Sequence, residues 1–156
     1  MISPTKRTLF ALAAVTALSW SLAGAALAAD AAAEAAFVKA YQAAFDGKSA
    51  DAFNALLAPG GDPTAVQFYT QMMTSEVQDG KLTSIALKDL TAEDQTNAAA
   101  VQPGPNGNLQ LLPKPYKKLV LHIETKTSDQ TSSSDSEVFV ADVGGKVLIS
   151  VPTPVK

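Results

Sequence analysis

The stretch FVKAYQAAFDGKSADAFNALLAP, residues 37–59, decides how this chain begins to fold. Phe37, Tyr41 and Phe45 recur at every fourth position, so an α-helix places all three on one apolar stripe. Alanine, the best helix former, fills residues 31–46 around them, and Asp30 is a suitable N-cap. Gly47 stands where a helix C-terminus calls for a residue free to turn. Ser49 then caps a second, shorter helix whose Phe53, Leu56 and Leu57 repeat the spacing, and Pro59-Gly60-Gly61 stops it. Asp62-Pro63 opens a third helix, with Pro63 at the first helical position, where its missing N–H is no loss. Val66, Tyr69, Met73 and Val77 form the inner face of that helix, and Gly80 ends it.

Beyond residue 80 the period changes from that of a helix to that of a strand. Thr83, Ile85 and Leu87 alternate with polar neighbours, and residues 96–101 read as a second, weaker strand. Residues 103–108 are a loop by composition, with residues 109–112 as a short edge strand beside it. Residues 117–126 form a strong strand with Leu119, Leu121 and Ile123 on one face. Residues 128–136, rich in Ser, Thr and Asp, read as a mobile connection. Gly144-Gly145 between two β-branched runs predicts a hairpin of residues 137–151 with a two-residue primed turn. Pro152 and Pro154 bar the tail from a central strand. Helices grouped before hairpin-linked strands predict an α+β fold, with the N-terminal helices packed on a curved, cone-like antiparallel sheet.

Residues 37–59 resemble the opening of nuclear transport factor 2-like domains, members of the cystatin-like cone superfamily. Those domains open with a helix running into an aromatic, two small residues and acidic-Gly, then a short helix ending at Ala-Pro. Residues 143–149, VGGKVLI, resemble the Gly-Lys-x-x-Ile closing strand of the same superfamily. The resemblance implies a cone-shaped sheet covered by helices, on which isomerases, dehydratases, cyclases and non-enzymatic binders are all built. Two features depart from the pattern. Only residues 59–62 stand where a strand usually separates the second and third helices, and the tryptophan common in the last strand is absent.

The N-terminus carries an address. Lys6-Arg7, the apolar residues 9–22 and Ala26-Leu27-Ala28 follow the order of a cleavable secretory signal peptide. We therefore read residues 1–28 as the signal and residues 29–156 as one domain, periplasmic or secreted. On this reading the membrane is met only through the signal, before cleavage. Cleavage removes the sole arginine and the sole tryptophan, leaving ten lysines against fifteen acids, a net charge of −5. That balance excludes nucleic-acid binding, which rests on clustered positive charge. The absence of cysteine excludes disulfides, thiolate metal sites and thiol chemistry.

Several groups are candidates for chemistry. His122, the only histidine, shares a strand face with Glu124, and the two could form a polar pair inside a cavity, with Tyr41 as a third member. The plainer reading is a histidine on a half-exposed strand face beside a solvated glutamate, and the sequence favours it. Phe37, Tyr41, Tyr69, Met72 and Met73, with Phe45 and Phe68, are candidates to line a ligand cavity, although helical spacing equally makes them core. No acid or histidine cluster has metal-ligand spacing, and no serine-nucleophile or phosphate-loop motif is present, so we expect neither metal nor cofactor. Three functions stay open: a non-catalytic binder of a small apolar ligand or an envelope protein; a cofactor-free isomerase- or dehydratase-like enzyme; and a structural homodimeric envelope protein.

Overall fold

The computed structural model describes residues 21–156, and the basic segment of the signal reading lies outside them. In chain order the elements are α1 (Ser21–Asp46), α2 (Ala50–Asn54), α3 (Pro63–Asp79), β1 (Gly80–Asp89), α4 (Ala92–Ala99), β2 (Gln102–Gly104), β3 (Gly107–Leu112), β4 (Lys117–Lys126), β5 (Thr131–Val143), β6 (Lys146–Ile149) and β7 (Val151–Val155). β1, β4, β5 and β6 form a four-stranded antiparallel sheet in the order β1-β4-β5-β6. β2, β3 and β7 form a second, three-stranded one in the order β2-β3-β7. Helices packed on antiparallel sheet make the fold α+β, as the residue pattern predicts.

The core lies between the helices and one face of the larger sheet. Phe37, Tyr41 and Phe45 of α1, Phe53 of α2, and Met73 and Val77 of α3 bury against Leu119, Leu121 and Ile123 of β4 and Val138 and Val140 of β5. Full burial of each such side chain stabilises the fold by about 1.5–3 kcal/mol. The Tyr41 and Phe53 rings meet edge-on at 5.3 Å, a favoured aromatic geometry. Two of the predicted caps form as read. Ser49 Oγ accepts the Ala52 N–H at 3.2 Å. Buried Asp62 accepts the N–H groups of Thr64 and Ala65 at 3.0 and 3.1 Å. The predicted Gly144-Gly145 hairpin is present, with φ of 61° and 83°, the positive values a type I′ turn requires.

Elsewhere the structure corrects the sequence reading. Asp30 does not start a helix, because α1 already runs from Ser21 and passes through Asp30 as an exposed residue. The left-handed residue that ends α1 is Lys48, at φ 49°, rather than Gly47. A bulge between Leu82 and Ser84 shifts the phase of β1, so that Leu82 turns inward and Thr83 outward. The weak strand at residues 96–101 is instead helix α4. Its Thr91/Asp94 capping box nucleates a helix in a run with little apolar periodicity. Residues 102–112 form a hairpin, and β3 is the middle strand of its sheet, with the Pro-bearing β7 on the edge. The expected connection at residues 128–136 shortens to a turn, because residues 131–136 extend β5 along β4. There backbone pairing holds a strand whose side chains are mostly solvated.

The two sheets are joined through Ser150. This buried residue donates its N–H to Phe139 O at 2.9 Å and its hydroxyl to Pro113 O at 2.8 Å while the chain passes from β6 into β7. Where the superfamily pattern has a strand between the second and third helices, this chain keeps a single parallel bridge, Leu57 to Ile149. Ile149 N–H donates to Leu56 O and Ala58 N–H donates to Ile149 O, both at 2.8 Å.

Candidate functional site

The best-formed concavity lies between α4 and β3, beside the end of β1 and residues 114–116. Its position follows from how α4 is fastened at each end. At the N-terminus, Asp94 accepts the Thr91 N–H at 2.9 Å and its hydroxyl at 2.8 Å, and Thr91 Oγ1 accepts the Asp94 N–H at 3.1 Å. The Lys118 ammonium then bridges Asp94 at 3.1 Å and Glu137 at 2.9 Å, pinning α4 to β4 and β5. These contacts hold the Asp94 carboxyl below the usual carboxylate range, with the Thr91 backbone bond as the largest cause. At the C-terminus, Gln110 Nε2 donates to Ala99 O at 2.9 Å and ties the helix to β3.

Between these fastenings a cleft of about 640 Å³ opens, within the size range of small-ligand sites. Leu90, Ala98, Ala99, Leu111, Leu112, Pro115 and the Tyr116 ring line it with apolar surface. Asp89, Gln95, Gln110 and Lys114 add a few polar groups. The Tyr116 hydroxyl donates to Glu34 at 3.1 Å, and Glu34 also pairs with Lys117 at 2.8 Å, so the ring is fixed from behind. Burial, followed by the Glu34 bond, raises the Tyr116 pKa, and the hydroxyl stays a protonated donor throughout the physiological range.

The residues singled out from the sequence are dispersed. His122 and Glu124 lie on the outer face of β4, opposite the buried Leu119, Leu121 and Ile123. The His122 side chain is 43% exposed and pairs through Nδ1 with the 69% exposed Asp135, its cross-strand neighbour, rather than with Glu124. The two are therefore not a polar pair inside a cavity, because strand alternation sends both away from the core. Phe37, Tyr41 and Met73 are packed core, and Met72 is partly buried against it. Tyr69 lines a second, smaller hollow of about 210 Å³ between α3, the end of α4 and the second sheet.

Two features escape the sequence reading. One is the cleft, whose walls come from segments read there as a weak strand and an edge strand, together with Asp89, Leu90 and residues 114–116, which carried no assignment. The other is Glu76 on α3, half-buried, whose Oε1 accepts the Ser136 hydroxyl at 2.9 Å. Burial raises its pKa, and the Ser136 bond offsets part of that rise. Burial, and then the Glu76 charge, raise the pKa of Tyr41. The clefts described above are lined by neither residue. Among the described residues, no three His, Asp or Glu side chains converge as metal ligands, and no helix is long and apolar enough to cross a membrane.

No family model and no curated protein matches the chain. Among solved structures it is similar to a chain named Rd1NTF2_05 carrying five substitutions. The two are 9% identical, the match covers 74% of this chain and 90% of the other, and the TM-score is 0.39.

Proposed function

We propose that this protein is an exported, non-catalytic domain that binds a small apolar ligand in the cleft between α4 and β3. The cleft carries the reading: it has the volume of a ligand site, mostly apolar walls and a few polar groups to orient an occupant. Export rests on the order of basic segment, apolar stretch and Ala-x-Ala at residues 6–28. On that reading residues 29–156 work as a single domain in the periplasm or outside the cell. The fold itself hosts binders and enzymes alike and does not choose between them.

The rival reading, a cofactor-free isomerase- or dehydratase-like enzyme, needs an acid–base pair facing bound substrate. His122 and Glu124 face outward, and Tyr41 is enclosed by the packed core. Both placements count against it.

Native mass spectrometry of protein purified from the exported fraction tests the proposal. The expected spectrum shows residues 29–156 carrying a small noncovalent adduct, which is lost when Leu111→Arg places a charge in the cleft. A bare polypeptide, or an adduct that survives Leu111→Arg, sinks the assignment of this site. Recovery of the protein only from the cytosol sinks the export reading.

A further inference from the structure

Charge is distributed unevenly over this chain. Residues 63–75, 95–113 and 147–155 contain no Asp, Glu, Lys, Arg or His, although charged residues make up 17% of the sequence. The topology brings these three runs together. The first is most of α3, the second is the rest of α4 with β2 and β3, and the third ends in β7. The hollow of about 210 Å³ lies where they meet, walled by Ala65 and Tyr69 of α3, Pro103, Leu109 and Leu111 of the hairpin, and Pro152 of β7. Every residue lining it is uncharged. Of the two acids that flank the first run, Asp62 is buried as the N-cap of α3 and Glu76 is half-buried with its carboxyl on the Ser136 hydroxyl.

The same region carries the two most exposed large apolar side chains among the described residues. Phe68 is 63% exposed and Val101 53%. Phe68 stands one helical turn after Ala65 and directly before Tyr69, so it projects beside the hollow. Val101 lies between Ala100 and Gln102, both of which line it. An exposed aromatic knob and an uncharged hole of sufficient size therefore adjoin on one face. A cavity of about 150 Å³ already accommodates a benzene ring.

We infer that this charge-free face is a self-association surface, on which a second copy of the chain docks by two-fold exchange of Phe68 into the neighbouring hollow. Depletion of charge with an aromatic anchor marks the core of a protein interface. The choice of a second copy follows from electrostatics and symmetry. A two-fold interface apposes the same patch on both subunits, so any charge there would meet its like. This face presents none, whereas the remainder of residues 29–156 carries the net charge of −5 and resists self-contact. A charged partner would find no complementary charge here to fix its register. A knob beside its own hole is self-complementary by construction. The inference does not depend on the ligand reading, because the larger cleft shares only Gln110 and Leu111 with this hollow.

Sedimentation equilibrium of the full chain, with all variants in the same background, tests the surface. The expected wild type is a dimer. Phe68→Lys and Val101→Lys each weaken association by about tenfold or more, a loss of about 1.4 kcal/mol, with unchanged thermal melting of the monomer at concentrations too low for association, because in the single chain both side chains are largely in water. Val120→Lys, on the outer face of β4, leaves the dimer intact. Phe68→Ser repeats the test without an added charge and weakens the dimer in the same direction. A monomeric wild type up to about 200 μM, well above the micromolar range of weak specific dimers, overturns the inference. So does a dimer indifferent to Phe68→Lys, an assembly larger than a dimer, or greater damage from Val120→Lys than from Phe68→Lys.

Discussion

Glu76 shows how one residue can work against the stability of the fold that holds it. Its carboxyl sits half-buried between α3 and β5, where burial favours the protonated form and the Ser136 hydroxyl only partly compensates. The folded-state pKa therefore lies above the unfolded one. The stabilising contribution is complete below the unfolded value and is lost as pH rises through the folded value. Glu76→Gln keeps an acceptor for Ser136 and removes the charge. We expect the variant to be more stable than wild type at neutral pH by a few tenths of a kcal/mol, since half of the carboxyl remains in water. The stability difference should vanish in mild acid, and urea unfolding at several pH values checks both statements. The opposite sign is expected at Gly145, whose φ of 83° is left-handed. Gly145→Ala should cost about 1–2 kcal/mol in the same assay.

Among elements, α4 is the informative case. Its sequence, AEDQTNAA, has little apolar periodicity, and the helix is decided by Thr91 and Asp94 at its entrance and by Lys118 and Gln110 from outside. The two outside contacts are tertiary, so residues 96–101 read locally as a weak strand. β5 escapes the pattern for a related reason: its first half is polar on both faces and owes its order to backbone pairing with β4. By contrast, α1, α3, β4 and the Gly144-Gly145 hairpin were legible, because in each the apolar spacing, the cap or the turn residues lie within the element itself. The core was legible for the same reason. The cleft was not, since it arises from apposing segments whose spacing in sequence carries no periodic signal. Thr91→Ala removes half of the capping box. It should destabilise α4 by about 1 kcal/mol, visible as faster amide exchange at residues 94–99 than in wild type.

At the scale of the whole molecule, the packed interior supplies stability, and the proposed ligand site lies apart from it, beside the second sheet. Of the aromatic and methionine side chains that sequence spacing offers as a pocket, Phe37, Tyr41, Phe45 and Met73 fill the core, Tyr69 lines the smaller hollow and Phe68 is exposed, while the larger open volume lies between α4 and β3. The most direct test of that division is a titration of the uncharged fluorescent probe N-phenylnaphthylamine into wild type, Leu111→Arg and Tyr41→Phe, each confirmed folded by thermal melting. That division predicts saturable binding to wild type, at least about tenfold weaker binding to Leu111→Arg, equivalent to about 1.4 kcal/mol, and unchanged binding to Tyr41→Phe. No saturable binding to wild type, or a loss that follows Tyr41 rather than Leu111, would contradict it.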